Sequence, residues 1–158
     1  MIRQCRNSDI DTIYHIVNEA AKSYEGVIPT DCYHWPYMPL LELEAELKRM
    51  TFYGWDENGK LTGVMGFEPV KDVTLIRHAY VLPECQNKGI GAALLRNLIQ
   101  LTKTKRLLVG MWAANQGAAR FYQRYGFKLQ PDKDVLLKTY WNISPRQIET
   151  SIVMELLR

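Results

Sequence analysis

Between Tyr80 and Leu95 the chain reads "YVLPECQNKGIGAALL", an apolar strand that becomes an apolar helix across an asparagine, a lysine and two spaced glycines. No other stretch limits the fold so tightly. A helix N-terminus exposes backbone N–H groups and the positive end of the helix dipole, and glycine lets an anion approach that backbone closely. The spacing of "QNKGIG" therefore suits a pyrophosphate. A glycine pair before an apolar helix equally serves a turn and close helix packing, so the stretch alone leaves both readings open. It lacks the GxGxxG of dinucleotide folds, and Lys88 precedes its glycine instead of following it as in a nucleoside-triphosphate loop.

The flanking sequence supplies the rest of the fold. "IRQC" (Ile2 to Cys5) predicts a short strand, and Ser8 is placed to cap a helix whose Ile10, Ile13, Ile16, Val17 and Ala20 follow helical spacing. A loop rich in Pro and aromatics, Gly26 to Pro39, precedes the helical "LLELEAELKRM" with Leu40, Leu43 and Leu47 on one face. The turn signals at Glu57 to Gly59 and at Lys71 and Asp72 then divide three successive antiparallel strands. Downstream, "AALLRNLIQL" is helical, "RLLVGMW" a strand, "NQGAARFYQRYGF" a helix ending at Gly126, and "TSIVMELL" a final strand. The order βα, α, βββ, αβ, αβ, β implies an α/β (α+β) protein, a mixed sheet with helices on its faces.

Composition bounds the function. At 158 residues and 47% hydrophobic content the chain fits one domain, residues 1–158. A net charge of +3, spread without a basic block, accommodates a polyanionic ligand but gives no reason to expect nucleic-acid binding. No segment has the ~20 apolar residues of a membrane span, and residues 1–20 lack the continuous apolar region of an export signal. Three cysteines, Cys5, Cys32 and Cys85, without CxxC spacing, argue against a disulfide framework or zinc site. A reducing, cytoplasmic setting is expected.

"VLPECQNKGIGAALL", followed by "NQGAARFYQRYGF", resembles the paired cofactor motifs of the GNAT superfamily of N-acetyltransferases, whose first motif has the form Q or R, x, x, G, x, G or A. The match is specific across Val73 to Phe127, and the element order agrees from the first residue. The resemblance implies a GNAT-like, mostly antiparallel central sheet, splayed between its fourth and fifth strands. It implies acetyl-coenzyme A (acetyl-CoA) as the cofactor, with Gln86, Asn87, Lys88, Gly89, Ile90, Gly91 and Ala92 wrapping the pyrophosphate. The pantetheine arm would pair with the Tyr80 and Val81 backbone like an added strand, and Asn115 would bond that arm. Lys88 would also touch the phosphates.

Amine acetylation sets its own demands. A lysine-like amine of pKa ~10.4 is mostly ammonium at neutral pH, so a base or a water chain must take its proton. Donors must meet the developing oxyanion, a role open to the backbone N–H near Val81, and the departing thiolate needs a proton. By resemblance Tyr122, of "FYQRYGF", matches the general acid; read alone it is an amphipathic tyrosine packed on its helix. If Val70 pairs with Val73, then Met65, Phe67, Ile76, His78 and Tyr80 share one sheet face, while Gly66, Glu68, Leu75, Arg77 and Ala79 share the other. The family often carries its base on the strand of Leu75 and Arg77, at positions that here hold neither carboxylate nor histidine. Glu68 on the neighbouring strand is the replacement candidate, or else an ion-pair partner of Arg77. His78 is the alternative base, or else a core histidine, and a bulge in its strand would reverse the ranking of the two.

Tyr24, Tyr33, Trp35 and Tyr37 fall where relatives form part of the acceptor cleft; aromatics there stack on a substrate or ammonium, or anchor the loop. Lys133 to Ser151 is longer than a hairpin needs, so Tyr140 and Trp141 are further candidates to cover the cleft. The expected reaction is direct transfer in a ternary complex to an amine-bearing small molecule or a peptide or protein acceptor, with room for a homodimer. The competing reading is a non-catalytic acyl-CoA sensor or interaction module.

Overall fold

The computed structural model describes all residues from Met1 to Arg158. In chain order the elements are β1 (Ile2–Gln4), α1 (Ile10–Ala21), α2 (Leu40–Arg49), β2 (Thr51–Glu57), β3 (Lys60–Val70), β4 (Val73–Val81), α3 (Ile90–Leu101), β5 (Arg106–Trp112), α4 (Gln116–Arg124), β6 (Lys128–Leu129), α5 (Lys133–Tyr140), α6 (Pro145–Glu149) and β7 (Ser151–Leu157). The seven strands lie in the order β1-β2-β3-β4-β5-β7-β6. The sheet is mixed and mostly antiparallel, as the sequence implies. Its parallel pair is β4 with β5, in register from Val73 opposite Arg106 to Ile76 opposite Val109. Beyond Ile76, β4 runs on through Arg77–Val81. No helix is long and apolar enough to cross a membrane.

The chain forms two compact units. The first comprises Met1–Ser23, His34–Glu68 and Arg77–Thr102. Its core joins Ile13, Ile16 and Val17 of α1 to Leu43 of α2 and to Phe52 and Val64 of the sheet, each buried side chain contributing about 1.5–3 kcal/mol. The α1 start corrects the expected Ser8 cap. Ser8 lies inside a 3-10 turn, Asn7–Asp9, and the Asp9 carboxylate accepts from the Arg6 N–H at 2.7 Å because the chain makes its turn one residue later. Asn18, buried on α1, accepts from the Met38 N–H at 2.7 Å and donates to the Met38 carbonyl at 3.0 Å. That clamp fixes the end of the aromatic loop where α2 begins.

The face of α2 also differs from expectation. Leu43 is buried and Leu47 packs against the core as read, but Leu40 is exposed and Glu46 is buried in its place. Residues 43, 46, 47 and 50 are the helical stripe, so a carboxylate occupies a core position. Between β2 and β3, Asn58 and Gly59 both take positive φ, 55° and 87°, as a tight hairpin with "NG" requires.

The second unit comprises Tyr24–Tyr33, Pro69–Ile76 and Lys103–Arg158. Val73 and Leu75 of β4, Leu108 of β5, Leu136 and Leu137 of α5 and Val153 of β7 form its core. The two helices α5 and α6 were not read from the sequence. The Ser144 hydroxyl caps α6 by accepting from the Gln147 N–H at 3.2 Å, with Pro145 at the first helical turn. Tyr140 and Trp141 are tied to this unit: the Tyr140 hydroxyl donates to Asp72 at 2.7 Å, and Trp141 lies against Gly110, whose added Cβ would stand 3.3 Å from the indole.

Candidate active site

The loop expected to meet the pyrophosphate, Gln86 to Ala92, lies in the first unit. A 3-10 turn, Pro83–Cys85, leads into the loop, and Asn87 and Gly89 both adopt left-handed backbone at φ 62° and 84°. Gly89 caps α3, with its carbonyl accepting the first intrahelical bond from the Ala93 N–H at 3.0 Å. The amides of Ile90, Gly91 and Ala92 precede that bond and therefore point out of the helix end. A Cβ on Gly89 would meet nothing of the protein within 4 Å. Packing does not require this glycine; its left-handed backbone does, and the space in front of it stays open for a ligand to approach the main chain. The Gln86 side chain donates to the Val81 carbonyl at 3.1 Å, tying the loop to the end of β4. Phosphates fit this donor set.

A second group of residues in the same unit surrounds His78. This residue takes φ 52° inside β4, a left-handed conformation that breaks the alternation of the strand. The expected placement of His78 with Met65, Phe67, Ile76 and Tyr80 is therefore corrected. Its ring stacks on Phe52, centroids 6.1 Å apart and planes within 7°, and Phe52 stands opposite Gly66 in the β2–β3 pair. His78 thus lies on the Gly66 and Glu68 side, next to Arg77, where it meets Glu46: His78 Nε2 to Glu46 Oε1 is 3.0 Å.

Two guanidinium groups complete the cluster. Arg49 bonds Glu46 and reaches Glu68 Oε2 at 3.0 Å; Arg77 reaches Glu68 Oε1 at 3.2 Å and Glu46 Oε1 at 3.5 Å. Burial pushes the Glu46 carboxyl up, but the hydrogen bond from His78 and the charges of Arg77 and Arg49 outweigh it and hold Glu46 below its ordinary value. Burial pulls His78 below its ordinary value, opposed by its bond to Glu46. Near neutral pH the pair is an ionised carboxylate and a neutral imidazole. Since that carboxylate only accepts, Nε2 donates and the lone pair sits on Nδ1. Glu68 is held on both oxygens by guanidinium, which is the ion pair foreseen with Arg77 and a poor setting for a base. Glu46 escaped notice in the sequence, although a carboxylate at a stripe position of α2 was the available signal.

The second unit carries Tyr122 and Asn115. Tyr122 is buried on α4, edge-on to Phe121 and Phe127 at centroid distances of 5.1 and 5.3 Å. Burial raises its pKa well above that of free phenol, so the hydroxyl keeps its proton throughout the working range. The Asn115 Oδ1 caps α4 by accepting from the Ala118 N–H at 3.2 Å, which leaves its amide nitrogen as the donor.

The aromatic candidates divide between the units. In the first, Trp35 is 54% exposed with the Lys22 ammonium 5.0 Å above its ring, and Tyr37 stacks on His34. Tyr24 and Tyr33 belong to the second, flanking a segment anchored by two bonds from Arg146 to Asp31, at 2.8 and 3.1 Å.

Residues 11–127 match the model of the acetyltransferase (GNAT) family, and the chain belongs to that family. It is therefore an acetyl-CoA-dependent N-acetyltransferase. The peptidyl-lysine N-acetyltransferase YiaC of Escherichia coli is 28% identical over 129 residues, covering 82% of this chain and 84% of that protein. An uncharacterized N-acetyltransferase of Methanocaldococcus jannaschii is 31% identical over 139 residues, 80% of this chain and 60% of that protein. Among solved structures, the PaiA N-acetyltransferase of Thermoplasma acidophilum in complex with coenzyme A superposes with a TM-score of 0.77 at 18% identity, covering 100% of this chain and 98% of that one.

Proposed function

We propose that residues 1–158 act as a single cytoplasmic acetyltransferase domain that acetylates a primary amine of a peptide or protein, lysine first, with His78 as base and Tyr122 as acid. The observation that carries this reading is the left-handed His78, neutral and bonded through Nε2 to Glu46, with its lone pair on Nδ1. Lysine is favoured because the relative from E. coli is a peptidyl-lysine N-acetyltransferase.

Bound acetyl-CoA supplies an activated thioester carbonyl. The residues of this chain do the rest. The amides at the start of α3, with Gln86 to Ala92, hold the pyrophosphate; the backbone of Tyr80 and Val81 and the Asn115 amide hold the arm. His78 Nδ1 takes the amine proton. The Tyr122 hydroxyl, fully protonated, donates to the sulfur as it gains charge. Glu68 has its oxygens occupied by Arg49 and Arg77, so its part is structural. Trp35 and Tyr37, and Tyr24 and Tyr33, supply aromatic surface to the acceptor.

The test is thiol release from acetyl-CoA with a lysine peptide, a peptide offering only its N-terminal amine, and a polyamine. General acid–base help is typically worth about 10²–10⁴ in rate. His78→Asn and Tyr122→Phe should each lower kcat within that range while coenzyme A affinity holds, and Glu68→Gln should leave the pH–rate profile in place. A fully active His78→Asn protein would remove His78 as the base, and preference for the polyamine would overturn the peptide assignment.

A further inference from the structure

The Glu46–His78 pair invites a question that the family assignment leaves open: why does a helix stripe place a carboxylate in the core beneath a strand histidine? Three observations bear on it. Glu46 sits at the apolar position between Leu43 and Met50, almost wholly buried. His78 reaches it only by abandoning regular strand geometry, at φ 52°. The imidazole is then held on two sides, by Glu46 at Nε2 and by the parallel ring of Phe52.

We propose that Glu46 is a positioning residue for acetyl transfer, fixing His78 in its Nε2–H tautomer with Nδ1 toward the amine and stabilising the imidazolium once the proton has moved. The proposal rests on the reading of His78 as base. In the step itself one N–H bond of the attacking ammonium or amine breaks and an Nδ1–H bond forms. The charge appears on His78, Glu46 stays ionised, and solvent later removes the proton from Nδ1. An orienting carboxylate behind a histidine base does the same in hydrolase triads, without becoming protonated itself.

The surrounding charges support this division of labour. The charged groups acting on His78 are Glu46 and Glu42 on α2 and Arg77 on β4, with Arg49 and Glu68 joined to them through Glu46 and Arg77. Arg49 and Arg77 each bond both Glu46 and Glu68, so two carboxylates and two guanidiniums close a ring of zero net charge. Glu46 is thereby held ionised and the Glu68 oxygens are occupied, and His78 is left as the group that exchanges a proton.

The test uses the whole chain and three variants, with acetyl-CoA and a lysine peptide. In wild type, NMR of the imidazole nitrogens should show His78 as the Nε2–H tautomer at neutral pH; an Nδ1–H tautomer would overturn the proposal without any variant. Glu46→Gln keeps the shape and removes the charge. Its kcat should fall by about 10- to 100-fold, the worth of a hydrogen bond to a charged group, with the KM for acetyl-CoA unchanged. The acidic limb of its kcat/KM profile should move to lower pH, since the hydrogen bond to the Glu46 carboxylate, and then its charge, raise His78, and the tautomer should become mixed. Glu46→Asp keeps the charge and should recover part of the loss, which a merely structural carboxylate would not tie to the pH limb. If His78→Asn loses activity while Glu46→Gln keeps wild-type kcat and the same limb, the positioning role fails and the base stands. If His78→Asn keeps wild-type kcat, both fail together.

Discussion

Replacing Gly89 by alanine separates what this position does for folding from what it does for the cofactor. The residue sits at φ 84° at the start of α3, and its added Cβ meets no protein atom within 4 Å. The folding cost is therefore only that of a left-handed alanine, about 1–2 kcal/mol. Thermal unfolding should drop by about 2–4 °C per kcal/mol at this chain length. Binding should suffer far more if an anion approaches the main chain here, because the methyl group fills the open space in front of Gly89. Losing one N–H bond to an anion, at about 1.5–3 kcal/mol, weakens Kd roughly 10- to 150-fold. Calorimetric titration with coenzyme A reads this directly, and acetyl-pantetheine, which lacks the pyrophosphate, should bind the variant and the wild type alike. Gly63→Ala provides the contrast. Its Cβ would stand 2.9 Å from Ile90 Cγ2 and 3.2 Å from Val81 Cγ2, so overpacking of about 1–3 kcal/mol should appear as lost stability. A folded Gly89→Ala protein that binds coenzyme A as tightly as wild type would refute the cradle.

Three further outcomes are expected. Asn18→Ala strips the clamp from Met38 and leaves a buried N–H and carbonyl unpaired, so urea unfolding should show a loss of about 2–5 kcal/mol; a change within error would mean that the loop end is held elsewhere. The pH dependence of stability follows from His78 and Glu46. His78 is pulled below its ordinary ~6.5, so the unfolded chain takes that proton first and stability should decline as pH falls from about 6.5. Glu46, held below its ordinary value, contributes stability above the usual carboxylate range that is lost as pH falls through its lowered pKa. The decline near pH ~6 should flatten in His78→Gln, and an unchanged slope there would contradict the neutral imidazole. Burial pushes the Cys5 thiol up to about 12, so Cys5 should resist iodoacetamide until the chain unfolds; rapid labelling in the native state would contradict that burial.

The parts of the fold written in local signals were legible in the sequence. The Asn58–Gly59 hairpin, the β5 strand "RLLVGMW" and the helix end at Gly126 each rest on residues whose own backbone preferences decide the outcome. The α3 start was legible for the same reason, since Gly89 is needed for a positive φ. The α6 start was written too, in Ser144 and Pro145, but beside a strongly apolar final strand the segment passed for a long loop. His78 was misplaced for a different cause. Histidine carries no mark of a left-handed conformation, and a single such residue moves its side chain to the other face. Glu46 went unseen because stripe reading counts apolar residues, and its burial depends on three cationic or imidazole partners, of which Arg77 and His78 lie more than thirty positions away in sequence. Long-range polar pairing leaves no local pattern, and the centre of the catalytic proposal consists of it.

The central claim is that this chain binds acetyl-CoA and passes the acetyl group to an amine. It is tested most directly by titrating the purified protein with acetyl-CoA in a calorimeter, then adding a lysine peptide to the same sample and following free thiol and peptide mass. Saturable binding, followed by thiol release that depends on the peptide and by an acetyl increment on its lysine, is the predicted result. Absence of binding, or binding with no thiol released to any amine, would contradict it.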